Sequence, residues 1–190
     1  HGNRNLEITW TIIPTFVVIG FGIWGAVTLN EITRPKEGEM TVDVVGKQWI
    51  WSFTYPEQDN IGSGELVLPV NRTTVLKMNA EDVIHSFWVP EFRVKQDLVP
   101  GRETTLRITP TEVGSYKLRC AEICGLNHTL MEADVRVVDA AGFQAWVDEK
   151  QAVPAFADLT AEERGAFWAS AEGFGCVACH SADGSPGVGP

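Results

Sequence analysis

Basic residues are scarce in this chain of 190 residues, which has 15 Lys and Arg against 25 Asp and Glu and a formal net charge of −10 at pH 7. Binding to nucleic acid relies on positive charge that neutralises phosphates, so this balance predicts no nucleic-acid partner. The sequence also has no internal repeat. Its hydrophobic content of 44% is typical of a globular protein that carries one additional apolar segment.

Cysteine is rare as well, and the four cysteines form two close pairs, Cys120 with Cys124 and Cys176 with Cys179. Each pair is followed closely by a histidine. This spacing is typical of metal or cofactor sites more than of disulfides distributed over a fold. A disulfide within each pair is the alternative.

Charge is absent from the segment Ile8 to Leu29. At about 1.5 Å per helical residue, this segment is long enough to cross a hydrocarbon layer of about 30 Å. Trp10 and Trp24 lie near its two ends, where amphipathic rings favour the membrane interface, and a signal peptide would have a shorter apolar core. We therefore predict a transmembrane helix with its flanks in residues 1–36, with a buried core helix as the alternative.

Strict alternation replaces helical periodicity after this segment. Trp49, Trp51, Phe53 and Tyr55 alternate with other residues, which predicts a strand with all four rings on one face. Short apolar runs between Gly and Pro residues predict further strands at Leu66–Val70, Thr73–Met78, Val83–Val89, Thr104–Ile108, Tyr116–Arg119 and Ala133–Val138. Strands at this spacing indicate a mainly β fold, an antiparallel sandwich in residues 37–139.

Two helices are predicted after the sandwich. Asp139 is suited to cap a short helix that begins the segment 140–158, and a linker completes this segment. Thr160 and Glu163 have the spacing of a capping box and indicate a second helix in residues 159–190.

The segment CAEICGLNHTLM, from Cys120 to Met131, places two thiols, an imidazole and a thioether on one loop between two predicted strands. Zinc accepts thiolates and imidazoles but a thioether poorly, whereas soft sulfur ligands from Cys and Met favour copper. With His85 from an earlier strand, the loop residues Cys124 and His128 would complete a blue-copper site, with the methionine as weak axial ligand. That site leaves the first cysteine unused, whereas two bridging thiolates can hold two copper ions with one imidazole on each.

These residues resemble subunit II of the haem–copper cytochrome c oxidases over about residues 1–139. The resemblance also rests on the segments LEITWTIIPT, GKQWIWSFTYP, DVIHSFWVP and KQDLVPGR, which occur in this order along the chain. It implies a cupredoxin-like fold outside the membrane and a dinuclear copper A centre that receives electrons from cytochrome c. The ligands that the resemblance implies are His85, Cys120, the backbone carbonyl of Glu122, Cys124, His128 and Met131.

Two further roles follow from the same resemblance. Trp49 matches the aromatic residue at which electrons arrive from cytochrome c, and its ring is expected to be exposed near the copper loop. The other three aromatic residues of its strand are expected in the core. Glu122 would direct its carboxylate to a magnesium ion at the boundary with subunit I, with Asp97 supporting that site, and a solvated surface charge is the alternative for both acids.

The segment GCVACH carries the C-x-x-C-H motif of covalent haem c attachment, with Cys176 and Cys179 as thiols and His180 as the iron ligand. Residues 159–190 resemble the N-terminal part of a cytochrome c domain, so we expect a fused cytochrome c that is truncated here. The family usually has two membrane helices, and the first is expected to be missing from this chain.

The resemblance implies the electron-transfer subunit of an enzyme that reduces oxygen to water and pumps protons. The chain has only four histidines, and three are already assigned, so the oxygen-reducing site is expected in subunit I. The expected partners are subunit I, other membrane subunits, cytochrome c and the lipid membrane. Because copper and haem c are loaded outside the cytoplasm, the cupredoxin and cytochrome domains are expected on the periplasmic side of a bacterial inner membrane. A membrane-tethered copper chaperone and a nitrous oxide reductase-like copper domain are the alternatives.

Overall fold

The computed structural model describes residues 2–152 and 160–169. The chain divides into two compact units, one ending at Glu37 and the other beginning at Gly38. The predicted haem-binding residues Cys176, Cys179 and His180 lie outside the described residues, as do most of the predicted cytochrome segment and the linker residues 153–158.

One helix, α1 (Arg4–Thr33), accounts for most of the first unit. The side chain of Asn3 caps it by accepting a hydrogen bond from the N–H of Leu6 at 3.2 Å. The helix contains the whole predicted span, none of its residues is buried, and it is long and apolar enough to cross a membrane. A core helix would bury one face, so the exposed apolar surface favours the transmembrane prediction over the core-helix alternative.

The second unit contains a sandwich of two five-stranded sheets with the orders β3-β2-β1-β5-β8 and β4-β10-β9-β6-β7. The strands are β1 (Met40–Lys47), β2 (Ile50–Tyr55), β3 (Ile61–Ser63), β4 (Leu66–Pro69), β5 (Thr74–Ala80), β6 (His85–Val89), β7 (Val94–Leu98), β8 (Thr104–Ile108), β9 (Gly114–Cys120) and β10 (Glu132–Val138). The mainly β prediction is confirmed. The core fills the space between the sheets with aliphatic and aromatic side chains.

Most neighbouring strands are antiparallel, as predicted, but β1 pairs with β5 and β4 pairs with β10 in parallel. Parallel neighbours cannot be joined by a tight hairpin, because the chain must travel back before it runs in the same direction again. Here other strands of the sandwich occupy those long connections. These two pairs therefore depart from the antiparallel arrangement that was predicted for the sandwich.

Three strands, β1, β3 and β7, were not predicted from the sequence. In β1, buried residues alternate with half-buried ones, which is a period-two signal that the sequence does contain. β3 has only three residues, and most residues of β7 are not buried. Both offer too little apolar pattern to detect.

Trp51, Phe53 and Tyr55 lie on the inward face of β2 and are buried, as predicted for core residues. Trp49 does not share their strand. Lys47 pairs with Ile50 across the β1–β2 hairpin, so Trp49 lies in the turn between these strands. Alternation alone could not distinguish a turn residue from a fourth strand residue.

Both predicted helix caps form. Asp139 accepts a hydrogen bond from the N–H of Gly142 at 2.7 Å at the start of α2 (Ala140–Gln151). The N–H of Thr160 donates to the carboxylate of Glu163 at 2.7 Å, and the N–H of Glu163 donates to the Thr160 hydroxyl at 3.3 Å, at the start of α3 (Ala161–Ala169). α2 buries Phe143, Trp146 and Val147.

Tyr55 links the two sheets, and its loss should destabilise the sandwich. The hydroxyl accepts a hydrogen bond from the N–H of Val67 at 2.7 Å and donates one to the Val67 carbonyl at 3.1 Å. Tyr55→Phe leaves both buried backbone groups without a partner, so we expect a loss of about 1–3 kcal/mol in the free energy of unfolding, measured by urea titration of the detergent-solubilised chain. Tyr116→Phe is the control, because that hydroxyl bonds the Glu112 carbonyl at an exposed site. Equal losses in the two variants would contradict the role of Tyr55.

Candidate metal centre

The pairing of two strands creates the site. His85 is the first residue of β6 and Cys120 is the last residue of β9. β6 and β9 are antiparallel neighbours, with Phe87 opposite Cys120. This pairing brings the histidine and the first cysteine of the loop together at one end of the sandwich, where His85 is fully buried.

The loop after Cys120 returns to the same edge, as predicted for a connection between two strands. Gly125 has a φ of +123°, in the region that favours glycine, and a 3₁₀ turn follows at His128–Leu130. The N–H of Cys120 donates to the Met131 carbonyl at 3.0 Å. This bond closes the base of the loop and directs its ligand side chains toward one point.

Two thiols form the centre of the cluster, with one imidazole beside each. Sγ of Cys120 lies 3.8 Å from Sγ of Cys124. Nδ1 of His85 lies 3.9 Å from the Cys120 sulfur, and Nδ1 of His128 lies 3.6 Å from the Cys124 sulfur. Both cysteines are free thiols, so the alternative of a disulfide within this pair does not apply.

Two weaker donors complete the predicted set. The carbonyl oxygen of Glu122 lies 3.3 Å from Sγ of Cys120, and Sδ of the fully buried Met131 lies 3.8 Å from Sγ of Cys124. The structure therefore brings all six predicted copper-binding groups together.

Asp82 belongs to the site and was missed from the sequence. Its Oδ1 accepts hydrogen bonds from Nε2 of His85 at 2.8 Å and from the N–H of Val83 at 2.7 Å, and its Oδ2 accepts one from the N–H of Gln48 at 2.7 Å. The carboxylate keeps the imidazole proton on Nε2 and leaves the Nδ1 lone pair facing Cys120, the arrangement expected of a metal-binding histidine. An aspartate three residues before the histidine was the available signal.

The pKa of Asp82 reflects these contacts. Burial opposes ionisation of the carboxyl group, but the hydrogen bonds from Gln48, His85 and Val83 together outweigh it and hold the pKa below its ordinary value. Asp82 is therefore ionised at neutral pH and can accept all three bonds.

Two residues of the first sheet, Trp51 and Gly46, lie next to the candidate ligands. The indole N–H of Trp51 donates to the Met131 carbonyl at 3.4 Å, and its ring lies edge-on to His85 with the centroids 6.2 Å apart. Gly46 of β1 allows this approach, because a Cβ atom there would lie 3.2 Å from Cδ2 of His85. The buried aromatic layer thus holds both a ligand side chain and the end of the ligand loop.

The donor set fits copper. Two thiols, two imidazoles and a thioether are soft or intermediate ligands, and a thioether is a poor ligand for zinc. In a site for a single ion, Cys120 would be unused. Its sulfur instead faces His85 while that of Cys124 faces His128, an arrangement that suits two ions bridged by two thiolates.

The residues predicted for magnesium binding and for electron entry lie outside the cluster of thiols and imidazoles. The carboxylate of Asp97 accepts a hydrogen bond from the Ser86 hydroxyl at 2.6 Å. Among the described residues, neither Asp97 nor Glu122 belongs to a group of three or more close metal-binding side chains. Trp49 is half-buried rather than exposed, and its ring lies over Gly125 of the metal loop.

Comparisons with known proteins agree with this geometry. Residues 62–138 match the family described as Cytochrome C oxidase subunit II, periplasmic domain. The solved periplasmic domain of subunit II of cytochrome oxidase from Bradyrhizobium japonicum is 32% identical, with a TM-score of 0.58, and the match covers 62% of this chain and 96% of that one. The chain belongs to the cytochrome c oxidase subunit II family.

Two curated members of the family extend the comparison. Cytochrome c oxidase subunit 2 of Thermostichus vulcanus is 34% identical, over 80% of this chain and 62% of the relative. Its counterpart in Alkalihalophilus pseudofirmus is 32% identical, over 97% of this chain and 55% of the relative. The chain therefore spans less than two thirds of the length of either relative.

Membership in the subunit II family confirms the resemblance and the cupredoxin-like fold that were predicted from the sequence. It also implies copper A binding, to which the cluster of His85, Cys120 and Cys124 corresponds. A periplasmic domain that follows an apolar helix of membrane-spanning length is the arrangement of a membrane-anchored periplasmic protein.

Metal binding should compete with protons at Cys124. Burial raises the pKa of this thiol to about 12, and its contact with Cys120 adds to the effect. A metal ion that binds this sulfur must displace its proton, and an ion that also binds Cys120 must displace a second one. We therefore expect the affinity of the metal-free chain for Cd²⁺ to increase at least tenfold per pH unit from roughly pH 7 to 9. Titration with a competing chelator, followed by thiolate-to-cadmium absorption, measures this slope. Cys124→Ser should make the slope less steep, because one of the two thiols is lost. An affinity that is independent of pH in the parent chain would refute the prediction.

Proposed function

We propose that this chain is the electron-receiving subunit of a membrane cytochrome c oxidase, in which a dinuclear copper A centre lies between cytochrome c and subunit I. The observation that carries the proposal is the pair of buried thiols 3.8 Å apart, each with its own imidazole. Bound copper supplies one-electron oxidation and reduction, which matches single-electron delivery by cytochrome c. Reduction of oxygen to water, coupled to proton pumping, is assigned to the complex through subunit I.

The chain's own residues prepare the site for this role. His85, Cys120, Cys124 and His128 are the proposed primary ligands, with Met131 and the Glu122 carbonyl as weak ones. Hydrogen bonds and burial restrict the ligand positions before metal binds, because Asp82 orients one imidazole and Trp51 holds the base of the loop. Such support would hold the ligand side chains in nearly the same positions in both oxidation states of bound copper, which would favour rapid electron transfer.

Trp49 is the proposed point at which electrons arrive. Its half-buried ring lies against Gly125, which directly follows the ligand Cys124. The surrounding domain is acidic, with ten Lys and Arg against sixteen Asp and Glu in residues 37–139, a net charge of −6. This charge would attract a basic cytochrome and increase its association rate.

The domain boundaries and the remaining cofactors also belong to this proposal. Residues 1–36 form the membrane segment, 37–139 the copper domain, 140–158 a helix and linker, and 159–190 the beginning of a cytochrome c domain. Its haem would be bound by the motif Cys176, Cys179 and His180. Similarity to the Alkalihalophilus pseudofirmus relative extends over 97% of the chain, and therefore into this segment.

A magnesium site at the boundary with subunit I is proposed for the side chain of Glu122, with Asp97 in support. Glu122 lies on the copper loop, so its carbonyl and carboxylate can serve different ions. The copper and cytochrome domains are proposed to face the periplasm of a bacterial inner membrane. Family membership favours this function over a copper chaperone and over a nitrous oxide reductase-like domain.

Ligand substitutions should separate strong from weak copper ligands. Met131→Leu should retain two coppers per chain and change the reduction potential, because a thioether is a weak axial ligand. Cys124→Ser should abolish the dinuclear signal, because it removes a bridging thiolate. Electron paramagnetic resonance and metal analysis distinguish these outcomes. Two coppers per chain and an intact dinuclear signal in Cys124→Ser would refute the bridging role.

Substitution of Trp49 should block electron arrival without changing the copper site. In the assembled oxidase, Trp49→Ala should lower turnover with reduced cytochrome c by about two orders of magnitude, since the ring carries the electron without binding metal. The copper spectrum should remain that of the parent enzyme. Trp88→Ala is the matched control, because Trp88 is a partly exposed indole on β6. Turnover equal to that of the control would show that electrons arrive elsewhere.

A further inference from the structure

Gln48 is joined to the metal site at two points. Its side-chain amide donates a hydrogen bond to the carbonyl of Cys124 at 2.6 Å, and its backbone N–H donates to Oδ2 of Asp82 at 2.7 Å. The first bond spans 76 residues of sequence and the second spans 34. Together they attach the β1–β2 turn to the ligand loop and to the segment that precedes His85.

Trp49, the next residue in this turn, has no comparable anchor of its own. Its indole Nε1 is buried and has no hydrogen-bond partner among the described residues. The ring is held by packing over Gly125, where a Cβ atom would lie 3.3 Å from both Cζ2 and Nε1 of Trp49 and 2.9 Å from Nε2 of Gln48. The position of the ring therefore depends on the attachment of its neighbour and on the absence of a side chain at residue 125.

The second attachment leads directly to a ligand. Asp82 binds the Gln48 N–H through one carboxylate oxygen and Nε2 of His85 through the other. The turn that carries Trp49 and the imidazole of His85 are thus held by opposite sides of one carboxylate. A shift of the turn would therefore move Asp82 and with it the His85 imidazole, and a shift of the imidazole would likewise move the turn.

We propose that Gln48 is a positioning residue that, together with Asp82, clamps the Trp49 ring onto the copper loop for electron transfer. The inference rests on the proposed function, in which reduced cytochrome c loses one electron and the oxidised copper centre gains it. Gln48 takes no part in that exchange. It determines how closely the ring approaches the loop, and small displacements of a reacting group can cost large factors in rate.

The test removes the hydrogen-bond donor of the Gln48 side chain while keeping the length of that side chain. Gln48→Met keeps the length of the side chain and removes the amide, and Gln144→Met is the control, because Gln144 is an exposed glutamine of α2 that donates only to Asp148 nearby. The chain is labelled with 5-fluorotryptophan, and Trp49→Phe assigns the Trp49 signal in the fluorine NMR spectrum. Spectra are recorded on the metal-free chain and on the reduced, diamagnetic copper form.

We expect Gln48→Met to shift or broaden the Trp49 signal, while Gln144→Met leaves it unchanged. In the assembled oxidase, kcat with cytochrome c should fall on the order of tenfold with little change in KM, because the ring moves but the docking surface remains. The two-copper paramagnetic signal should be that of the parent.

Two results would overturn the clamp while leaving the proposed function intact. One is an unchanged Trp49 signal and unchanged kcat in Gln48→Met, with Trp49→Ala still slow and the dinuclear copper signal present. The other is an increase in KM alone, which would make Gln48 a docking residue. Absence of the dinuclear signal from the parent chain itself would instead refute the proposed function.

Discussion

The pairing of β6 with β9 is the constraint on which the site depends. It places the start of one strand beside the end of the other, so that His85 and Cys120 meet although 35 residues separate them in sequence. The loop that follows Cys120 then has to return to β10, which pairs with β9 on its other side. Strand order thus forces both ends of the ligand loop to lie at the same edge, close to the histidine.

The hydrophobic core converts this placement into a rigid site. Trp51 packs against both His85 and Phe87 of β6 and donates a hydrogen bond to the Met131 carbonyl, so a single core residue contacts this strand and the end of the loop. Buried ligands cannot rearrange freely, because neighbouring side chains are close-packed. This rigidity would favour the proposed electron transfer, since a site that keeps its geometry requires little reorganisation.

Hydrogen bonds connect this site to a turn nearer the surface. The carboxylate of Asp82 binds His85 and Gln48, and the amide of Gln48 binds the Cys124 carbonyl, so the turn that carries Trp49 is linked to both halves of the ligand cluster. Exposed apolar side chains lie on the loop between Cys120 and Met131, where Ile123 is 84% and Leu126 is 90% exposed. Apolar groups that face outward beside the proposed copper site are suited to contact with a partner protein.

The sequence alone determined the types of the candidate ligands, their spacing on one loop, the apolar helix and most strands, because these features depend on local pattern and on the chemistry of individual side chains. It could not determine that each imidazole faces a different thiol, that Asp82 and Gln48 support the site, or that Trp49 lies in a turn rather than on the strand. Several of those relations join distant residues, since 35 positions separate His85 from Cys120 and 34 and 76 positions separate Gln48 from Asp82 and Cys124. Only the strand order brings such residues together. Two parallel strand pairs escaped prediction for the same reason, since pairing direction is decided by the path of the whole chain and not by any one segment.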